Sequence, residues 1–172
     1  MTSEEVFIGW ALRKLNQSHD RVQSCVALLS DEQIWWRGGE NENAMGNLIL
    51  HLCGNMLQWI GTGVAGQPDT RDRDSEFDTR GGIERDVLIK LLSDVVGFTT
   101  QIIRELPHSQ LNQPMNPVQG YNVTKLEAIG HVVEHFGYHT GQIVFLTKAL
   151  THADLGFYGH LRGPGVHREK TP

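Results

Sequence analysis

Three histidines at intervals of four residues, His131, His135 and His139, have the spacing best suited to chemistry in this sequence. On an α-helix, residues four apart stand about 6 Å from each other on one side, so two neighbouring imidazoles suit a shared metal ion. All three do not, because the outer two would lie about 12 Å apart along a straight helix. The spacing therefore predicts that two of them contribute to a metal site, and it leaves open which two.

A further histidine, His51, lies between Leu50 and Leu52 in another apolar segment. We expect its side chain to face the interior of a helical protein or the margin of that interior. Burying an unpaired imidazole costs about 1 to 3 kcal/mol, so several histidines in apolar helices favour a ligand role. Three neutral imidazoles leave positions open on a divalent ion, and an open position activates water or a thiol.

Two common metal signatures are not matched. The metalloprotease motif His-Glu-x-x-His is absent from the sequence. A di-iron bundle requires Glu-x-x-His on two helices, and the match at Glu105–His108 contains the helix-breaking Pro107. Glu134 adjoins His135 but is expected to project about 100° away from it on a helix. An imidazole site for one cation is therefore favoured.

Four helices are predicted from apolar residues that recur at steps of three and four. They cover about residues 4–29, 44–62, 83–105 and 125–150. Asn43 is the expected N-cap of the second helix, and Thr124 with Glu127 forms a capping box for the fourth. Amphipathic helices of this number and length are typical of a four-helix bundle, so the predicted fold class is all-α.

The connection between the second and third helices, residues 61–82, combines glycines with the dense charge run Asp69–Phe77. We expect this run neither to pack in the core nor to form a helix, and a connection this long allows a crossover between helices. Residues 151–172 are rich in glycine and have little periodicity. The chain is therefore divided into a bundle over residues 1–150 and an irregular C-terminal tail over residues 151–172.

Charge and composition restrict the partners. A net charge of -5 with scattered cations argues against nucleic acid. No apolar run approaches the roughly 20 residues that cross a bilayer, so no membrane partner is expected. Two cysteines and an acidic beginning without the features of a secretory signal favour the reducing cytoplasm. For a reactive metal site of the kind described above, the expected partner is a small-molecule substrate.

Two segments of the sequence, residues 47–60 and 131–142, resemble the DinB/YfiT-like superfamily. The superfamily's terminal motif, His-x-x-x-His-x-Gly-Gln, is matched by residues 135–142. The tryptophan pair with arginine at residues 35–37 and the Arg-Asp-Arg-Asp loop at residues 71–74 are similar to a branch of small DinB-like proteins. The resemblance implies a bundle with a crossover, a homodimer and a divalent cation.

The ligands that the resemblance implies are one histidine from the second helix and two from the fourth. Carried over to this sequence, they are His51, His135 and His139, and the expected cation is Zn or Ni. His131 falls outside this set. We expect Asn55, Gln142 and His131 to orient the ligands or to serve the structure.

The activity that the resemblance implies is a metal-dependent, thiol transferase-like or hydrolase-like reaction, because the superfamily includes enzymes that use low-molecular-weight thiols. This chain has Phe136, Tyr138 and Thr140 where relatives often have Glu, His and Arg, which leaves the substrate open. Arg71, Arg73 and Tyr138 are the candidates for substrate binding, since guanidinium groups bind carboxylates. The alternative for the arginines is a set of surface ion pairs.

A noncatalytic protein remains the alternative to an enzyme. It would be a metal-stabilised, dimeric binding or stress-response protein built on the same bundle. Coordination distinguishes the two hypotheses, since an enzyme requires an exchangeable position at the metal whereas a structural site is closed by four protein ligands.

Overall fold

The structure, a computed structural model, describes residues 1–161, and the remainder of the predicted tail lies outside the described residues. Its α-helices are α1 (Ser3–Val26), α2 (Asp31–Ile34), α3 (Met45–Met56), α4 (Arg73–Asp78), α5 (Arg85–Glu105) and α6 (Lys125–Thr151). A π-helix, Leu57–Val64, continues α3, and short 3-10 turns occupy His108–Gln110 and Gly159–Leu161. The predicted all-α fold class is confirmed.

The four long helices form the predicted bundle around one apolar core. Helix α1 packs on α5 and α6, and α3 packs on the same two helices. Fully buried side chains from all four fill the space between them, among them Leu15, Ile49, Leu52, Leu88, Leu92 and Phe136. The predicted crossover and the division into bundle and tail stay predictions. Within residues 1–161, no helix combines the length and the apolar character that a membrane span requires.

Helix α6 begins at the capping box that the sequence predicts. The backbone N–H of Glu127 donates to the Thr124 hydroxyl, and the Glu127 carboxylate accepts from the Thr124 N–H at 2.8 Å. The helix ends at Thr151, and its C-cap residue His152 adopts the left-handed conformation with a φ of 55°. This long, capped element carries two of the three predicted ligands.

The beginning and end of the second predicted helix differ from expectation. Its N-cap is Ala44, so the prediction of Asn43 is wrong. The buried Asn47 amide accepts from the Ala44 N–H at 3.1 Å, which satisfies this donor without a polar side chain at the cap. Its last turns are π-helical rather than α-helical, and that widened segment contains two weak helix formers, Gly61 and Gly63.

The charge run in the long connection also differs from expectation, because part of it is helical and packs inward. Asp72 caps α4 by accepting from the Ser75 N–H, and Glu76 on the first turns of α4 is buried. The prediction failed because it treated each charge as solvated. A buried carboxylate is stable when a buried cation pairs with it, and Arg71 provides that cation.

Candidate metal centre

The three predicted ligands converge between α3 and α6. The Nε2 atom of His135 lies 3.1 Å from Nε2 of His51 and 3.3 Å from Nε2 of His139. Metal–nitrogen bonds of 2.0–2.1 Å separate two ligand atoms by about 3.3 Å in a tetrahedron and by about 3 Å at a right angle. The three ligand atoms lie within 4.8 Å of one another, and the two distances to His135 match those between nitrogens that share one divalent ion.

In two of the rings, those of His51 and His139, a hydrogen bond at Nδ1 determines which nitrogen carries the proton. Nδ1 of His51 lies 2.8 Å from Oε2 of Glu76 and 3.1 Å from Nη2 of Arg71. Because Nη2 already donates to Oε2 at 2.8 Å and a carboxylate only accepts, the proton between His51 and Glu76 belongs to Nδ1. Nδ1 of His139 likewise donates to Oε1 of Gln142 at 2.6 Å. A neutral imidazole has one N–H. The Nε2 atoms of His51 and His139 therefore present lone pairs toward His135.

His135 stands between those two lone pairs. Its Nδ1 is buried without a hydrogen-bond partner among the described residues, and its Nε2 proton would satisfy at most one neighbour. At least one nitrogen–nitrogen contact therefore joins two acceptors, and a cation relieves that arrangement. Burial first, and then the neighbouring imidazoles of His139 and His51, lower the pKa of His135 to about 3. The ring is therefore neutral near pH 7, the form that binds metal.

Glu76 and Arg71 form a buried ion pair behind His51. Arg71 donates from Nε to Oε1 at 2.7 Å and from Nη2 to Oε2 at 2.8 Å, and the two side chains are 4% and 7% exposed. Nη1 of Arg71 donates to Gln58 at 2.9 Å. Burial alone would raise the pKa of Glu76, but hydrogen bonds from Arg71 and His51 lower it below its ordinary value. Glu76 is thus an anion that accepts from a ligand histidine.

Sequence reasoning missed Glu76, although two local signals pointed toward it. Asp72 followed by Ser75 is an N-cap pattern that predicts a helical turn, and a turn has an inward side. Gly54 interrupts an apolar helix, which indicates a close approach by another group. A Cβ atom built on Gly54 would lie 1.9 Å from Oε1 of Glu76. The spacing of the sequence alone does not identify Glu76 as the residue that fills this space.

His131 and Asn55 lie next to the triad but outside it. The Asn55 amide nitrogen is 3.3 Å from Nε2 of His131, whose ring stacks on Trp59 at 4.0 Å and lies 5.5 Å from the ring of His135. Burial lowers the pKa of His131. The carbonyl oxygen of Asn55 is buried without a partner among the described residues. Their proposed orienting role, and that of Gln142, stays a prediction.

The predicted substrate-binding arginines occupy different environments. Arg71 is held by Glu76 and Gln58, so the surface ion-pair alternative is wrong for it. Arg73 is exposed, and its guanidinium lies 4.9 Å from the centre of the Phe77 ring. The roles of Arg71 and Arg73 in substrate binding stay predictions.

Tyr138 is the third predicted substrate-binding residue and borders the triad from outside. Its side chain is 66% exposed, and its ring meets the His139 ring edge-on at 5.1 Å. The other two positions where the chain departs from superfamily relatives, Phe136 and Thr140, are buried. Of the three departures, only Tyr138 therefore faces solvent. Its role in substrate binding stays a prediction.

Solved structures, among them a DinB-like protein, share the fold of this four-helix bundle. A conserved protein from Enterococcus faecalis has a TM-score of 0.73 at 14% identity, over 89% of this chain and 99% of that one. A DinB-like protein (YjoA) from Bacillus subtilis has a TM-score of 0.67 at 17% identity, over 87% and 96%. A mutant of the mycothiol-dependent maleylpyruvate isomerase has a TM-score of 0.63 at 13% identity, over 87% and 71%.

These similarities confirm the superfamily fold that the sequence motifs predicted. The chain belongs to the DUF1572 family, a protein family of unknown function, whose sequence model matches residues 3–159. No curated protein matches it.

Proposed function

We propose that this protein is a metal-dependent enzyme in which His51, His135 and His139 bind one divalent cation. The observation that carries the proposal is the convergence of three Nε2 atoms, two of them with lone pairs fixed inward by Glu76 and Gln142. Three imidazoles suit Zn or Ni among the divalent ions. The free thiol Cys53 is not part of the group of potential ligands that the described residues form, and burial raises its pKa to about 12.

The proposed reaction is thiol transferase-like or hydrolase-like. A divalent cation with three protein ligands supplies Lewis acidity, which lowers the pKa of a thiol or water at an open position. The chain supplies neutral imidazoles on rigid helices, and burial keeps His135 unprotonated. The structurally similar maleylpyruvate isomerase is mycothiol-dependent by name, which supports a low-molecular-weight thiol as cofactor or substrate.

We propose that Arg73 and Tyr138 bind the substrate. Both side chains are exposed, and both border the triad through an aromatic contact. Arg73 stacks on Phe77, whose ring lies 4.7 Å from the ring of His51, and Tyr138 meets His139. A small anionic substrate would find its cation in Arg73, since guanidinium groups bind carboxylates in a fixed geometry.

The experiment begins with elemental analysis of protein purified without added metal, followed by visible spectroscopy of the Co(II) form with and without thiols. We expect about one metal ion per chain and a spectral change when a thiol binds. His135→Ala should lose the metal, whereas His108→Ala, an exposed histidine outside the site, should retain it. A Co(II) spectrum that no thiol or exchangeable water alters would favour the noncatalytic scaffold. Absence of metal from the wild-type chain would overturn both the proposed enzyme and the metal-stabilised scaffold.

The proposal also includes a homodimer that acts on a small molecule in the cytoplasm. The superfamily resemblance supports the dimer, and the ring of Phe145, 71% exposed on α6, is an apolar group that a second copy would cover. Light scattering of the purified chain should give twice the monomer mass. Phe145→Asp should shift the protein to the monomer if this face is the interface, and an unchanged mass would place the interface elsewhere.

A further inference from the structure

The contact between Glu76 and His51 links the long connection to the metal centre. Glu76 belongs to α4, a six-residue helix within that connection, whereas the three histidines belong to the bundle. Its carboxylate accepts from Nδ1 of His51 at 2.8 Å, on the side of the ring opposite the metal gap. Both side chains are buried, so water is a poor substitute for either partner.

We propose that Glu76 is a positioning residue that fixes His51 in its metal-binding tautomer, and that Arg71 and Gly54 hold the carboxylate there. The inference rests on the proposed function, since it assumes that the triad binds a cation. Hydrogen bonds from a ligand histidine to a carboxylate orient the ring and raise its basicity. The connection, and not the bundle alone, therefore sets the metal affinity.

The arrangement requires a carboxylate and not an amide at position 76. Arg71 donates to both oxygens of Glu76, and His51 donates to one of them. A glutamine has one acceptor oxygen, so one donor of this group would face its NH2 group. When that group faces His51, Nδ1 accepts from it and from Nη2 of Arg71, which lies 3.1 Å away. The proton then moves to Nε2, where it blocks the lone pair needed for metal.

Gly54 provides the space for the carboxylate. An added Cβ would lie 1.9 Å from Oε1 and 2.8 Å from the carboxyl carbon of Glu76. Such distances are far below contact, so any side chain at this position must displace Glu76 or α4. A residue of α3 that is not itself a predicted metal ligand thereby controls a hydrogen bond to one.

Gln58 holds Arg71, the cation of its ion pair with Glu76, in place. Its carbonyl oxygen accepts from Arg71 at 2.9 Å and from Gln119 at 2.6 Å, and its amide nitrogen donates to Asp69 at 2.7 Å. Gln58 lies in the π-helical continuation of α3 and is buried. These bonds fasten both the long connection and the segment before α6 to one point, which limits how far Arg71 can move away from Glu76.

The first test compares Glu76→Gln with Glu134→Gln, the same change at an exposed carboxylate next to His135. Metal dissociation constants would be measured by competition with a chromophoric chelator, using Zn and Ni alone. We expect Glu76→Gln to weaken binding by about 10 to 100-fold and Glu134→Gln to leave it within about twofold. Equal affinities for wild type and Glu76→Gln would overturn the inference while leaving the proposed function intact.

A second readout needs neither metal nor activity. Long-range 1H–15N correlation spectra of the metal-free protein report which imidazole nitrogen of each histidine carries the proton. We expect His51 to be protonated on Nδ1 in the wild type and on Nε2 in Glu76→Gln. An unchanged tautomer would contradict the proposed role even if the variant bound metal less tightly, because the weaker binding would then have a cause other than the tautomer of His51.

Glycine variants provide an independent test. Gly54→Ala should weaken metal binding to a similar degree as Glu76→Gln, because its Cβ displaces the same carboxylate. Gly137→Ala, on the helix that carries His135 and His139, meets no atom within 4 Å and should retain wild-type affinity. Circular dichroism would check that both variants fold. Wild-type affinity in a folded Gly54→Ala would overturn the inference, whereas a wild-type chain that binds no metal would overturn the proposed function with it.

Discussion

At the scale of single residues, the hydrogen bonds made by Nδ1 of His51 and His139 determine whether their Nε2 atoms can bind a cation. Glu76 and Gln142 each accept from Nδ1 of one ring, so the Nε2 lone pairs of His51 and His139 point into the gap. His135 is held between them by burial and has no outer partner among the described residues. The metal-free site therefore concentrates acceptors, and protonation of its rings opposes the folded state.

The lowered pKa of His135 predicts how stability depends on pH without metal. The ordinary value is 6.5 and the folded value about 3, so below pH 6.5 the unfolded chain takes up a proton that the folded chain excludes. Stability should therefore fall as pH decreases from about 7 to about 5. Glu76 contributes only at lower pH, because its lowered pKa starts from 4.5.

Urea unfolding of the metal-free protein at those two pH values measures this dependence. His135→Gln should show a smaller loss of unfolding free energy than the wild type, since the residue that excludes the proton is gone. His108→Gln changes an exposed histidine outside the site and should show the wild-type loss. Equal losses in wild type and His135→Gln would contradict the prediction.

At the scale of elements, the sequence predicts the helices that follow from a local pattern of residues. It misses the helix whose burial depends on contacts between side chains of different segments. The four long helices follow from apolar periodicity, and the start of α6 follows from its capping box. Helix α4 was missed because its stability depends on Arg71 and Glu76 being buried together. Spacing alone limited the histidines of α6 to a pair. The resemblance chose His135 and His139, and the geometry brings these two together with His51.

The capping box of α6 predicts a measurable loss of stability. Thr124→Ala removes the hydroxyl that accepts from the Glu127 N–H and so leaves that donor without its side-chain partner at the helix start. We expect a loss of about 1 kcal/mol in the free energy of unfolding, measured by urea denaturation. Thr70→Ala, the same change at an exposed loop residue, is the control and should cost less than about 0.5 kcal/mol. A loss no larger than that of the control would show that the cap is dispensable.

At the scale of the whole molecule, the proposed cation joins two helices that the chain itself connects only through long segments. His51 lies on α3, and His135 and His139 lie on α6, with α5 between them in sequence. A ligand that binds only the folded state stabilises it by mass action. The metal would thus contribute to the stability of the entire bundle, while Glu76 ties the long connection to the same centre.

Metal removal therefore predicts a lower melting temperature. Free metal at about 100 times its dissociation constant stabilises the fold by about 2.7 kcal/mol, and each kcal/mol raises the melting temperature of a chain of this size by about 2 to 4 °C. Chelation should thus lower it by about 5 to 11 °C in calorimetry. His139→Ala should melt at one temperature with or without chelator, because two imidazoles hold the ion far less tightly than three. His108→Ala should retain the wild-type shift, and a chelator that leaves the wild-type melting temperature unchanged would contradict a cation that bridges α3 and α6.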